Sequence, residues 1–492
     1  MMDFLDPKKR KAYNIRLLIG FVLVGIVLVL GTTILALITA GYNINRHTGQ
    51  VIQNGLVFVN AQPQSASIYI NGVQYGTTNA RIELASGNYD VDLKRSGYQD
   101  WNLSFNLMGG SVEQLTYPFL FPTSPIKTSV LQLSAAPQVA SESPNQHWLV
   151  VNVPNQNDQF SLIDVTNPKT PITTLTLPAG VLNIGPGTNT LQAVEWSTDN
   201  QHLLLKHSWD GGFEYIILDI NNASNSLNIN AIFPNVTFDN ATLFNKTYSS
   251  VYLYDSANGT INLGDEVSKT VTPVLSNVLQ YDPYKSSEIL YVSKDPTNAS
   301  LVDVKLYNNG QSYLIRTLPV STTYILNMAS YSGTDYVIVG CSSLHDVYVY
   351  QDPLSELSGT QNQLPVPYTL LITNGYPQAA SFSNTAQFIA AQSGGEFAVY
   401  DFNEQLHYRY NTGLSLSANE LANWMDGDRL TLVSNSKLTI FDFDGTNTVH
   451  LTGANVNYKQ AFSSAYDAVY TVNQNSSGQY EILRTSLIAN QP

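Results

Sequence analysis

The chain of 492 residues holds one cysteine, Cys341. A single thiol excludes an internal disulfide, so stability has to come from buried apolar surface. Cys341 closes the apolar run Tyr336-Val-Ile-Val-Gly-Cys341 with no Lys or Arg near it in sequence. That setting reads as a buried strand residue, since a reactive thiol needs an electropositive, accessible place. Charge is scarce too, at 12% of residues, and positive charge scarcer still: 23 Lys and Arg against 37 Asp and Glu, a net −14. Residues 1–16 hold five of the basic residues and two of the acids, which leaves 18 against 35 beyond them, or −17. Such a surface repels polyanions and excludes nucleic acid as a partner. Gly-x-Ser-x-Gly, HExxH, P-loop and GxGxxG patterns are all absent. No catalytic residue, cofactor site or metal site is assigned. His202 and His207 are five apart on a strand pattern and face opposite sides, which makes them poor joint metal ligands. Asp442, Asp444 and Asn447 around Gly445 read as a polar turn rather than a calcium loop.

What the chain does have is one long charge-free run, Leu17 to Ala40. As a helix it is roughly 36 Å long, enough for a hydrocarbon core of about 30 Å. Its Leu, Ile, Val and Phe residues contribute on the order of −5 to −10 kcal/mol to insertion. The run exceeds the apolar core of a cleaved signal peptide. Lys8, Lys9, Arg10, Lys11 and Arg16 precede it and only Arg46 closely follows, so the N-terminus is expected inside and the bulk outside. Thr32, Ala36 and Ala40 repeat at spacing four and read as filler. The expected layout is a basic cytoplasmic tail 1–16, a transmembrane helix 17–40, a linker 41–54, a small β domain 55–122 and a β-propeller 123–492.

After the linker the apolar period becomes two. Leu56–Asn60, Ala66–Ile70, Ala80–Leu84, Tyr89–Leu93 and Trp101–Phe105 read as strands of a small antiparallel sheet or sandwich. Asn71-Gly72 is a type I′ hairpin signal. Pro63-Gln64-Ser65-Ala66, Ile68-Tyr-Ile-Asn71-Gly72, Gly76-Thr77, Ser86-Gly87-Asn88-Tyr89, Lys94 and Gly97-Tyr98 together resemble a PEGA domain. Gln64 and Ser65 replace the Glu and Gly of the family's name motif, and Asn79 stands near its missing Pro. The resemblance implies a small β domain of prokaryotic surface and envelope proteins, without catalytic residues. Gly72, Gly87 and Gly97 read as turn positions with positive φ.

From Pro125 on, a weak repeat emerges: an aromatic or small residue, a polar turn, then an apolar strand. It appears as Trp196-Ser-Thr-Asp-Asn, Phe382-Ser-Asn-Thr-Ala, Trp424-Met-Asp-Gly-Asp and Phe462-Ser-Ser-Ala-Tyr, among others. A second element ends in Asp at 164, 219, 401 and 442. Units of about 40–50 residues with four strands are propeller blades, and the layout resembles WD40-like propellers. Eight units are counted, seven being the alternative. The last, about 458–490, is one strand short, and Val130-Leu-Gln-Leu133 could supply it. Ser256-Ala-Asn258-Gly259-Thr260 is a lone fragment of a sialidase-type box and reads as a hairpin turn.

The expected fold is mainly β: one N-terminal transmembrane helix, a PEGA-like sandwich and a propeller. The expected role is a membrane-tethered extracytoplasmic surface protein, without enzymatic activity, that binds envelope protein or cell-wall glycan. A propeller-type glycan-active hydrolase or lyase, and an assembly scaffold for other membrane proteins, are the alternatives. Partners are the lipid bilayer through 17–40 and an envelope protein or glycan. Trp209, beside Asp210-Gly211-Gly212, is the candidate ligand-binding residue; Tyr376 is another exposed aromatic, and Trp424 reads as core. Eight Asn-x-Ser/Thr sequons matter only where the host glycosylates asparagine.

Overall fold

The computed structural model describes residues 7–39, 41–44, 51–357, 364–417 and 420–489. Residues 1–6 of the expected tail, 45–50 of the expected linker and Ala40 lie outside the described residues. The chain divides into two compact units, 1–123 and 124–492.

In the first unit a helix runs over Pro7–Thr39. Its Tyr13–Thr39 stretch is long and apolar enough, by length and composition, to cross a membrane. The Thr32 hydroxyl donates to the Leu28 carbonyl one turn back at 2.8 Å, and Thr33 and Thr39 do likewise. Those bonds let three hydroxyls sit in an apolar helix without an orphaned donor.

The small β domain is two four-stranded sheets. Alternation places Val57, Val59, Ile68, Ile70, Val91 and Leu93 in its core, each no more than 2% exposed. Two expectations need correction. Strand structure begins inside the expected linker, because Tyr42–Ile44 pairs with Val51–Val59. The domain is also not purely antiparallel: Val51–Val59 runs parallel to Val112–Leu115. Asn71 and Gly72 are both left-handed, φ 49° and 77°, as a type I′ turn requires. Gly97 has φ 83°, but Gly87 starts the strand Gly87–Lys94 without a positive φ. A Cβ there would meet nothing nearer than the Tyr89 ring at 3.9 Å, so the position does not demand glycine. Ser65 does need left-handed freedom: it holds φ 66° where the family's name motif has glycine.

The second unit contains, among the described residues, eight four-stranded antiparallel sheets. Sheets 1 to 7 cover 140–176, 190–228, 240–275, 278–319, 324–372, 379–411 and 423–453. Sheet 8 has three strands within 461–486 and takes Lys127–Leu133 as its fourth, paired antiparallel to Tyr480–Ser486. Residues 127–129 thus extend the expected strand at Val130–Leu133. Sheet 3 has all four of its strands.

With the four strands of each sheet lettered a to d in chain order (in sheet 8 strand d is Lys127–Leu133), strand b of sheet 2, His202–Trp209, shows why three leucines run consecutively. Leu203 and Leu205 pack toward sheet 1, whereas Leu204 packs toward sheet 3, all at 0% exposure. Each fully buried Leu stabilises by about 1.5–3 kcal/mol, on both faces of the sheet. The same logic closes the ring. Val150 of sheet 1 packs on sheet 2, while Leu149 and Val151 pack on sheet 8. Phe388 stacks on Phe443 at 4.1 Å between sheets 6 and 7, and Thr485 donates to Thr452 between sheets 8 and 7. First strands of neighbouring sheets touch one another, which puts them next to the axis. Antiparallel order then fixes two faces. Connections from one sheet to the next share an end with the b–c turns; the a–b and c–d turns share the other. They are called the connection face and the turn face below.

Candidate functional site

The a–b turns are built on a recurring buried serine. Ser143, Ser197, Ser383 and Ser463 are each no more than 4% exposed. Each accepts, on its backbone carbonyl, the N–H three residues on, from Gln146, Asn200, Ala386 and Tyr466. Those four residues are all left-handed, with φ between 53° and 61°. The hydroxyls of Ser143, Ser383 and Ser463 accept the N–H five residues on at 2.9, 3.2 and 3.1 Å. This is the polar turn of the sequence repeat. Its signal was the serine itself, at one place in four units. In sheet 7 Asp426 takes that place, accepting from Asp428 N and Arg429 N. The Asp at the end of strand c has a parallel role: Asp164, Asp219 and Asp401 each accept the N–H groups two and three residues on.

These turns surround an axial cavity of about 730 Å³, lined from sheets 1, 2, 3, 6, 7 and 8. Two carboxylates reach it, Glu142 and Glu195. Both are engaged by neighbouring backbone. Glu142 Oε1 accepts from Phe462 N of sheet 8 at 2.5 Å. Glu195 accepts from Leu243 N of sheet 3 and pairs with Lys246. Burial pushes the Glu142 carboxyl up to about 8, against a small lowering by Phe462 N–H and Lys459. The cavity's tryptophans are also committed. Trp196 and Trp424 are 9% and 7% exposed, and their indole N–H groups donate to Ser141 and Ser381 of the preceding sheets at 2.9 and 3.1 Å. Trp424 is therefore core, as its repeat position indicates. Tyr466 crosses the cavity: its hydroxyl accepts from Gln146 of sheet 1 at 3.2 Å and is bonded also by Asn384 of sheet 6. A left-handed tyrosine costs on the order of 1–3 kcal/mol, so the surrounding bonds hold it there.

Trp209 lies elsewhere, at the b–c hairpin of sheet 2, and is half-buried. A Cβ on Gly185 would stand 2.0 Å from its ring, so the connection 177–189 closes against that side. Below it, His207 and Glu214 are 0% and 2% exposed and bonded at 3.0 Å. Asn183 of the same connection donates twice to Glu214, at 2.7 and 2.8 Å. His202 instead faces Asp199 at 2.6 Å, so the two histidines are not brought together. Tyr376 is 55% exposed and stacks on His345. Cys341 is 0% exposed. Ser256–Thr260 is a hairpin turn capped by Asp255. Asp444 accepts from Thr446, and Asp442 accepts from Asn447, giving a polar turn. Among the described residues no group of three His, Cys, Asp or Glu could hold a metal ion.

Comparison with known proteins bears on both units. No curated protein matches this chain. Similar solved structures include dihydro-heme d1 dehydrogenase NirN in complex with DHE, at 12% identity and TM-score 0.40, covering 63% of this chain and 65% of that one. An oligogalacturonate lyase in complex with manganese aligns at 8% identity and TM-score 0.41, over 72% and 99%. The Myceliophteria thermophila Cps50 (Swd1) beta-propeller domain aligns at 10% identity and TM-score 0.38, over 65% and 97%. The PEGA domain family matches residues 54–119. The chain thus carries a PEGA domain ahead of a mainly β, propeller-like ring.

Proposed function

We propose that this is a membrane-tethered, extracytoplasmic binding protein without enzymatic activity, a scaffold for envelope components. The helix at Tyr13–Thr39 is its anchor, with the basic tail inside and some 450 residues outside. The observation that carries the reading is the commitment of the axial groups. Glu142 and Glu195 are engaged by backbone N–H groups of adjacent sheets, and Trp196 and Trp424 are buried with their N–H groups paired. A cavity whose acids and aromatics hold the ring together offers a rigid platform for a partner.

A second reading, a glycan-active hydrolase, draws on one observation: two carboxyls share the cavity, and one titrates near 8, as a general acid does. One experiment separates them. Full-length protein in lipid nanodiscs is incubated with isolated envelope material. Retention of envelope protein without release of soluble sugar is the expected outcome. Sugar release that disappears in Glu142→Gln would overturn the binding reading in favour of the hydrolase.

A further inference from the structure

A second cavity, of about 500 Å³, opens between sheets 3 and 4 on the connection face. The b–c turn of sheet 3, the connection 276–277 and the end of strand b of sheet 4 form its walls. That volume is typical of a small-molecule site. It is open because its connection, two residues long, is the shortest of the eight. Sheets 2 and 6 show what fills the same place elsewhere. Each has an acid near the start of strand c, Glu214 opposite His207 and Glu396 opposite Ser393. The incoming connection covers that acid with an asparagine, and the N–H groups of Asn183 and Asn374 donate to it at 2.7 and 3.0 Å. The matching acid of sheet 4 is Asp303, opposite Ser293. It accepts from Thr317 at 3.1 Å and pairs with Lys305 at 3.2 Å, and among the described residues no bond reaches it from 276–277.

Lys305 is the second departure. It stands opposite Tyr291, as Ile216 stands opposite Leu205 and Ala398 opposite Ala391. Ile216 and Ala398 are buried apolar residues, so the fold does not call for a cation there. The Lys305 ammonium gives one N–H to Asp303 and one to Ser293 at 3.1 Å, which leaves a third donor. Lys294 also lines the cavity and has no ion pair among the described residues. The acids nearby are occupied within their own turns. Asp239 accepts from Ser256 N, Asp255 from Ala257 N and Asn258 N, and Asp295 from Thr297 N and Asn298 N. No acid is among the lining residues. With those three and Asp303 counted, the neighbourhood is not net positive. What the cavity offers an oxyanion is therefore direct charge-assisted hydrogen bonds, not a long-range field. The Ser276 hydroxyl and the Asn277 amide line it too, both without a partner among the described residues, and suit ligand hydroxyls.

We propose that the cavity between sheets 3 and 4 binds a sugar carrying a carboxylate or phosphate, with Lys294 and Lys305 on the anionic group and Ser276 and Asn277 on the hydroxyls. The proposal rests on the reading of the chain as an envelope-binding protein and adds a ligand site apart from the axial cavity. Its failure would remove this site alone, since retention of envelope protein is measured separately.

The test is saturation-transfer NMR of the full-length protein in lipid nanodiscs, titrated with glucuronate, glucose 6-phosphate or glucose. Saturable binding of at least one acidic sugar is expected, with glucose at least tenfold weaker. The tighter of the two acidic sugars tells carboxylate from phosphate. Lys305→Met, which restores the apolar pattern of sheets 2 and 6, should weaken binding at least tenfold, and its far-UV circular dichroism should match the parent. Lys294→Ala, at an exposed position, should weaken it at least threefold. Lys169→Ala on the turn face removes the same charge and should change nothing. Four outcomes would overturn the proposal: no saturable binding of either acidic sugar, glucose bound as tightly, binding unchanged in both Lys305→Met and Lys294→Ala, or an equal loss in Lys169→Ala. Displacement of glucose 6-phosphate by an equal concentration of inorganic phosphate would overturn the assignment of a sugar.

Discussion

The buried polar residues of the turns and the exposed apolar residues of the connections serve opposite ends. On the turn face, Ser143, Ser383, Ser463, Asp426 and the strand-c aspartates are buried or turned inward, and each is spent on a backbone N–H. On the connection face, Ile184, Val320, Tyr376 and Val456 turn outward. The buried polar residues carry the fold, while exposed apolar residues stand in water on both faces, as Val267 and Leu406 do on the turn face at 85% and 51% exposure. Substitutions of the buried turn residues should cost stability, and those of the exposed connection residues should not.

The largest effect is expected at Arg429, 6% exposed and paired with Asp426 at 2.6 Å. Asp442 lies 3.9 Å from the same guanidinium. Arg429→Met leaves buried carboxylates without their cation, a loss of about 3–5 kcal/mol. Chemical denaturation of the full chain measures it, and a loss under about 1 kcal/mol would break the contrast. Ser463→Ala comes next. It strips the buried N–H of Ala468 and the half-buried N–H of Asp467 of their acceptor, at about 1–3 kcal/mol, by the same measurement.

Glu142 sharpens the comparison through pH. Its carboxyl is raised to about 8, above the roughly 4.3 of an unfolded glutamate. The folded state therefore favours the protonated form. The stability this lends is full below about pH 4 and fades as pH rises through 8. Wild type should lose melting temperature between about pH 5 and 8 relative to Glu142→Gln, and parallel curves would show that the group does not titrate there. Ile184→Asp should have the smallest effect on stability, within about 0.5 kcal/mol.

Much of the fold was legible because it is local. The charge-free run at 17–40, the Asn71-Gly72 turn and the aspartates closing strand c each act within a few residues. The serine turns were visible as strings such as Phe462-Ser-Ser-Ala-Tyr, yet the buried serine within them was not recognised as the capping group. The parallel pairing of Val51–Val59 with Val112–Leu115 was not legible, since nothing in either segment marks a partner some 60 residues away. The axial cavity was hidden for the same reason. Glu142, Glu195, Asn384 and Tyr466 meet only because the ring closes. The packing of Trp209 against Gly185 was not legible, because Gly185 belongs to the connection that precedes strands a and b of the same sheet.

The contrast between the buried turn serines and the exposed connection residues is tested most directly by unfolding two triple variants side by side. One carries Ile184→Asp, Val320→Asp and Val456→Asp; the other carries Ser143→Asp, Ser383→Asp and Ser463→Asp. The first should unfold within about 1 kcal/mol of wild type, and the second should lose at least about 3 kcal/mol or fail to fold. Equal losses in the two sets would contradict the account.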